Sequence, residues 1–326
     1  MIYITKRKIH QRTMARRYSS IIALLLQIAS ISLTKGACAQ QDLFWKEWGD
    51  GKAELNLYST EIPRYGELRS GYSVLIFVTE DFSKISQVKA EKSVPDSERL
   101  KVMKLNHIKK FLTGIYDYSI MTSLFSPLTV WSLGSRYFEA VTPIKVSFSS
   151  QEWCGNYYEQ LNARVDGYER KAHSYFEGEG DISDYIKHRS HSIQEDDMLV
   201  RVRELVAPFP HGEYWMLTSP FFGRLTHKST EWVKAEVKRQ TTTQPLTVPF
   251  GTFQTRRFTV RTSQREHRFW VEQDPPKRIL KWEVDLIGNP TQTERSILLN
   301  SKREPYWEQN KVGFEYLRDS LGIPTL

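Results

Sequence analysis

In Leu280-Lys281-Trp282-Glu283-Val284-Asp285-Leu286 every even position is apolar and every odd one is charged. Successive side chains of a strand point to opposite sides, so this period of two marks a strand with one buried and one wet face. Ile144, Val146 and Phe148 alternate with Lys145, Ser147 and Ser149 in the same way, as do Val233, Ala235 and Val237 with Lys234, Glu236 and Lys238. Further runs at 55–57, 72–78, 102–108, 114–125, 157–165, 168–177, 214–219, 253–262 and 266–272 bring the expected total to about twelve strands. Turn residues punctuate them closely, at Gly66, Gly71, Pro127, Gly134, Pro143, Gly167, Gly251, Pro275-Pro276 and Gly288-Asn289-Pro290. Short strands so closely spaced leave no room for crossover helices, which predicts antiparallel meanders. An unbroken sheet of this size curls. The expected fold is mainly β (α+β), a large curved antiparallel sheet or open barrel with few helices.

Two helices are expected. Ile193 to Val206 has Ser192 and Glu195 as a capping box and Pro208 as its stop, and a second occupies Pro305 to Leu321 before Gly322. The polar stretches Gln87 to Arg99 and Gly178 to His191 are expected to be the least ordered.

The chain opens as an exported protein. Lys6, Arg7, Lys8, Arg12, Arg16 and Arg17 precede the apolar run Ile21 to Leu33, and Ala37-Cys38-Ala39 follows it. That is the order of a secretory signal, with cleavage after Ala39. The run is about 13 residues, against the roughly 20 that a helix needs to cross a bilayer. Met14 to Ala39 is by itself a complete signal, so translation from Met1 or from Met14 gives the same mature protein. Cys38 offers an alternative, lipidation and anchoring as a lipoprotein, but Lys35 stands where such sites carry an apolar residue. The expected layout is a signal at 1–39 and a single β-rich exported domain at 40–326, placed in the periplasm or cell envelope.

The signal also changes the meaning of the charge. The chain carries 46 Lys and Arg against 38 Asp and Glu, but residues 1–39 hold seven bases and no acid, leaving 39 against 38. A mature chain so near neutrality loses the main argument for a nucleic-acid partner. Only Cys154 remains after cleavage, so no intramolecular disulfide is expected, and 16 Phe, 16 Tyr and 9 Trp argue for an ordinary packed core.

Three constellations are weighed for chemistry. Cys154, in Glu152-Trp153-Cys154-Gly155, is a candidate nucleophile with His173 as its base, against the plainer reading of a small buried residue between strands. His188 and His191, with Asp181 and Asp184, have a metal-ligand spacing but sit in a polar segment, so a solvated loop is preferred and no metal or cofactor is expected. Arg256, Arg257, Arg261, Arg265, His267 and Arg268 interleave with Phe253, Phe258, Phe269 and Trp270, a pattern that a half-exposed hairpin explains as well as a phosphate surface does. No G-x-S-x-G elbow, Walker loop, dinucleotide fingerprint or H-E-x-x-H occurs.

Arg64 to Gly71, Val74 to Lys84, His107 to Leu124 and Ser149 to Gly155 together resemble an uncharacterised family of exported bacterial proteins whose members often carry the label septum formation inhibitor Maf. The label does not fit, because true Maf proteins are cytoplasmic nucleotide pyrophosphatases with an S-x-S-P-R-R motif, which nothing here matches. Phe250 to Glu283 is similar to lipoprotein-carrier-like exported proteins, where a curved sheet wraps an apolar cavity and a W-x-x-x-D hairpin lies late in the chain, here Trp270 and Asp274. The aromatic content and the absence of a recognisable catalytic set favour a noncatalytic envelope protein that binds an apolar or lipid-like ligand on the concave face, with Phe258, Trp270 and Trp282 as candidate contacts. The alternatives are a hydrolase or transferase centred on Cys154, or an interaction module with an envelope protein partner.

Overall fold

A computed structural model describes residues 44–323, so the expected signal segment and Cys38 lie outside the described residues. Of a first unit ending at Glu47, residues 44–47 are helical, and everything below concerns the second, residues 48–323. Its strands are β1 (Ala53–Arg64), β2 (Glu67–Ser83), β3 (Arg99–Thr113), β4 (Tyr116–Pro127), β5 (Trp131–Leu133), β6 (Arg136–Phe138), β7 (Lys145–Glu152), β8 (Gly155–Ala163), β9 (Gly167–Ser174), β10 (Ile182–Lys187), β11 (Ser192–Gln194), β12 (Gly212–Leu217), β13 (Trp232–Val248), β14 (Gly251–Arg261), β15 (Arg265–Glu272), β16 (Ile279–Leu286) and β17 (Asn289–Glu304). Between and after them lie α1 (Met198–Arg201), α2 (Pro220–Thr226) and α3 (Tyr316–Leu321).

Fifteen of these strands form one sheet, in the order β10-β9-β8-β7-β4-β3-β2-β1-β17-β16-β15-β14-β13-β12-β11, and β5 and β6 form a separate ribbon. All pairings in the large sheet are antiparallel except β11 with β12. The architecture is therefore mainly β, as the alternation predicts. The hairpins are tight because their turns suit it: Tyr65 and Gly66 both have positive φ, 56° and 78°, the two-residue turn whose twist matches the strands.

The sheet curls until its edges are neighbours. The edge strands β10 and β11 are joined by residues 188–191 alone, and Trp232 Nε1, at the start of β13, donates to the Lys187 carbonyl at 2.9 Å. Side chains on the inner face then meet across the interior. Lys109 of β3 pairs with Glu294 of β17, although β2 and β1 separate those strands in the sheet. Ile62, Phe111, Tyr118, Ile120 and Phe148 pack together there with Phe221 of α2, which plugs one end.

Three expectations need correction. The helix over 193–206 shrinks to α1, because 192–194 form β11 beside β12. The capping box does not form. Ser192 Oγ donates to the Arg189 carbonyl at 2.8 Å, and Glu195 is held by Arg265. Packing of a charged side chain into the interior thus outweighs a local cap worth about 1 kcal/mol. The helix over 305–321 is reduced to a 3₁₀ turn at Tyr306–Glu308 and to α3, with Gly322 as its left-handed cap. The two stretches expected to be least ordered are built in: 182–187 is the edge strand β10, and Gln87 is fully buried with its amide donating to the Ala163 carbonyl at 2.8 Å.

Candidate functional site

Where the walls of the curled sheet face α1 and α2, packing is incomplete, and a narrow cavity of ≈ 60 Å³ remains. One wall comes from Leu105, His107 and Lys109 of β3 and Ile120, Thr122 and Leu124 of β4. The other comes from His267 and Phe269 of β15, Trp282 and Val284 of β16 and Glu294 of β17. Glu195, Asp196, Ser219, Phe221 and Phe222 close the floor. A water needs roughly 10–15 Å³ measured this way, so the cavity has room for a molecule of a few heavy atoms.

The aromatic wall follows from register. Phe258 lies opposite Phe269, and Phe269 opposite Trp282, so the three share the inner face of β14, β15 and β16. Trp282 packs edge-on against Tyr58, with ring centroids 4.6 Å apart, and against His107, at 5.6 Å. Of the three aromatic candidates, Trp282 lines the cavity. Phe258 packs against Phe209 in the filled interior, and Trp270, opposite Arg257 and Lys281, is on the outer face with the Lys281 ammonium 4.7 Å from its ring centre.

The polar floor is wired to the walls. Glu195 accepts from Arg265 Nε at Oε1, 2.6 Å, and from the Ser219 backbone N–H at Oε2, 2.8 Å, with His267 Nε2 also 2.8 Å from Oε1 but at an angle poor for a hydrogen bond. Ser219 Oγ donates to Asp196 at 2.6 Å and accepts from the Phe221 N–H at 3.1 Å, capping α2. The Lys109 ammonium lies 3.9 Å over the Phe221 ring and the Arg265 guanidinium 4.0 Å over that of Phe222. Two cations from the walls thereby pin the plug.

Burial sets the protonation of this cluster. It pushes Asp196 up to about 7, with the Ser219 hydrogen bond opposing, and Asp197 up to about 6 against the pull of Arg201. Burial also acts on Glu195, but the Arg265 charge and His267 outweigh it and hold that carboxyl down at about 2. Burial, with help from the Lys109 charge, pushes His107 well below the usual imidazole range, and its enclosed Nε2 has no hydrogen-bond partner.

These shifts have opposite signs for stability. Glu195 binds its proton more weakly folded than unfolded, so its contribution is lost as pH falls from about 4.5 towards 2. Asp196 and Asp197 bind theirs more strongly folded, so stability falls as pH rises from about 4 through 6 to 7. We expect maximal stability near pH 4, where the Glu195 contribution is nearly complete and the Asp196 and Asp197 losses are only beginning. Asp196→Asn should raise stability at pH 8 by about 2 kcal/mol, with the gain fading below pH 5. Melting temperatures of both proteins across pH 3 to 9 check this, and a gain independent of pH would contradict it.

The other candidates are dispersed. Cys154 is not a small buried residue: it is exposed at the turn between β7 and β8, since two residues there are all that joins the strands. The neighbouring Glu152 carboxylate pushes its thiol up, the opposite of activation. His173 points instead to Asp181, with Nδ1 3.0 Å away. The proposed metal ligands are drawn to different partners. Asp184 pairs with Arg170, His188 Nε2 lies 3.0 Å from the Arg164 carbonyl, and His191 stacks on Tyr214. Among the described residues no group of three or more His, Cys, Asp or Glu side chains converges to hold a metal. The basic hairpin is largely neutralised, Arg268 by Glu283 and Asp285, Arg261 by Glu266 and Arg265 by Glu195.

His107, Lys109, Asp196, Ser219 and Glu294 were not singled out from the sequence. One signal was available: His107 and Lys109 share the parity of Leu105 and Phe111, and a charge on the apolar parity of a strand marks an interior polar site. No family model matches the chain, and no curated protein does. Among solved structures it is similar to the crystal structure of a beta-barrel-like protein of domain of unknown function DUF1849 from Brucella abortus, at 8% identity and a TM-score of 0.44, over 77% of this chain and 97% of that one.

Proposed function

We propose that this is a noncatalytic, exported binding protein of the periplasm or cell envelope whose ligand sits inside the curled sheet. The observation that carries the reading is the cavity itself, a mainly apolar space of ≈ 60 Å³ walled by Leu105, Leu124, Phe269 and Trp282 with Asp196 and Ser219 at its floor. Its size favours a compact apolar molecule with one hydrogen-bonding group rather than an extended acyl chain, unless α1 and α2 move. Catalysis is the weaker reading, because Ser219 already spends its hydroxyl as a helix cap and the Cys154 thiol is pushed away from reactivity.

Native mass spectrometry of the purified protein tests this. A small molecule should be retained by the wild type and lost from Thr122→Leu, whose added carbons enter the cavity, while the melting temperature stays within about 5 °C. A wild type that carries nothing, and that no compact apolar compound stabilises, would sink the proposal.

A further inference from the structure

Five consecutive hairpins in sheet order, β9–β10, β7–β8, β3–β4, β1–β2 and β16–β17, turn at the same end of the sheet. Each puts a large apolar side chain into solvent at or beside its turn. In that order they are Tyr175 (71% exposed), Trp153 (69%), Ile115 (83%) with Leu112 (62%), Tyr65 (56%) and Ile287 (43%). The pattern then stops. The next turn, 262–264, reads Thr-Ser-Gln, and the exposed end of the α2 loop reads Thr226-His227-Lys228-Ser229.

Tyr65 shares a hydroxyl network with Tyr116 and Tyr118, and the Trp153 ring lies 6.4 Å from that of Tyr116, yet Tyr65 and Trp153 each leave more than half of their surface in solvent. Tight turns are best served by Gly, Asn and Asp, and an Ile that is 83% exposed contributes little packing. The opposite end also exposes Ile85, Val88, Val130 and Tyr137, but these are scattered over the long loops 84–98 and 128–144. At the hairpin end the spacing is regular: strands lie about 4.8 Å apart, so neighbouring tips lie about 10 Å apart. Such a row of separate fingers does not form the close-packed patch that a protein partner buries.

Its chemistry, Trp and Tyr beside Ile and Leu, is that of side chains at the boundary between headgroups and acyl chains. The exposed charges among the tips are acidic, Glu67, Asp117, Glu177 and Asp181. Attraction to anionic headgroups is therefore not the source of binding. We infer that this row of hairpin tips is a membrane-interface anchor that seats the barrel end-on upon an electrically neutral, zwitterionic lipid surface. Among the described residues no helix is long and apolar enough to span a membrane, and shallow insertion of tips requires none.

Co-sedimentation with phosphatidylcholine vesicles tests the inference. The wild type should sediment with them, with little change on raising salt from about 0.1 to about 0.5 M. Ile115→Ser/Trp153→Ser should partition at least about tenfold more weakly, with the melting temperature lowered by no more than about 5 °C, since both side chains are mostly exposed and the Trp153 ring meets Tyr116 at its edge. As a second measurement, a polarity-sensitive fluorophore on Cys154 in a Cys38→Ser background should shift to the blue on adding vesicles, whereas one on Ser263→Cys in a Cys38→Ser/Cys154→Ser background should not. The inference falls if the wild type stays in the supernatant, if the double variant sediments equally well, or if binding needs anionic lipid and collapses with salt. Thr122→Leu should still sediment, so failure of the interior site and failure of the anchor are separable.

Discussion

Replacing Arg203 with alanine is expected to destabilise the protein by about 3–5 kcal/mol, the range for removing one partner of a buried ion pair. Arg203 is 0% exposed and its partner Glu54 is 1% exposed, with 2.8 Å between Nη2 and Oε2. The guanidinium also donates to the Pro276 and Lys277 carbonyls at 2.9 and 3.0 Å and lies 4.3 Å over the Phe77 ring. It thereby ties the segment after α1 to β1, β2 and the turn between β15 and β16. Alanine would leave the Glu54 carboxylate buried with Asn56 as its remaining partner and two carbonyls without a donor. The double variant Arg203→Met/Glu54→Met should recover a good part of the loss, since the uncompensated charge disappears. Urea denaturation of the three proteins decides the matter. A cost below about 1 kcal/mol for Arg203→Ala would mean that water reaches the pair and that the interior is wetter than described.

Trp282→Ala should be of similar size, about 3–5 kcal/mol, because it removes a 3% exposed aromatic ring from the wall of a space that is already incompletely filled. Its contacts with Tyr58 and His107 go, and so does the donation from Nε1 to Glu294 at 3.3 Å. Glu294 then keeps Lys109 alone from this cluster. Trp282→Phe preserves most of the packing and loses the donor, at a cost nearer 1 kcal/mol. If the cavity is the ligand site, the alanine variant should also retain or be stabilised by bulkier apolar molecules than the wild type. Denaturation midpoints read the first effect, and native mass spectrometry across a size series of compounds reads the second.

The two variants probe different halves of one design. An inner face in which Arg203, Glu195, Arg265, Lys109 and Glu294 are buried beside aromatic rings holds together only if each charge finds its partner. The carboxyls at 195–197 show how narrow the margin is: three adjacent acids are held at about 2, 7 and 6, depending on which cation or hydroxyl each one reaches.

The fold class was legible because it depends on near neighbours. Ile144, Val146 and Phe148 are 0–1% exposed while Lys145, Ser147 and Ser149 between them are wetter, as period two demands. Residues 280–286 follow the same rule for Leu280, Trp282 and Val284, but Glu283 is buried as well, because Arg268, Lys281 and Arg295 surround it. A strand pattern reports which face a side chain takes and not what waits there. The helix expected over 193–206 failed for the same reason. Ser192 and Glu195 have the right spacing for a cap, but Arg265, 70 residues away in sequence, claims the carboxylate. The interior site was illegible because Asp196 and Ser219 are 23 residues apart and His107 a further 89 residues back, and only the curl of the sheet brings them to one cavity.

The sequence by itself determined the alternation, the tight hairpins and thus a large curved antiparallel sheet, since these rest on contacts between successive residues and on backbone preferences at turns such as Tyr65-Gly66. It also carries the basic and apolar run, 6–33, whose reading as a secretory signal the envelope proposal rests on. Only the tertiary structure decided which charges are buried, which carboxyls burial pushes up and which their partners pull down, where Cys154 stands, and that five hairpin tips align their apolar side chains along one rim. Those properties depend on distances between residues far apart in the chain, and closure of the sheet is what sets those distances.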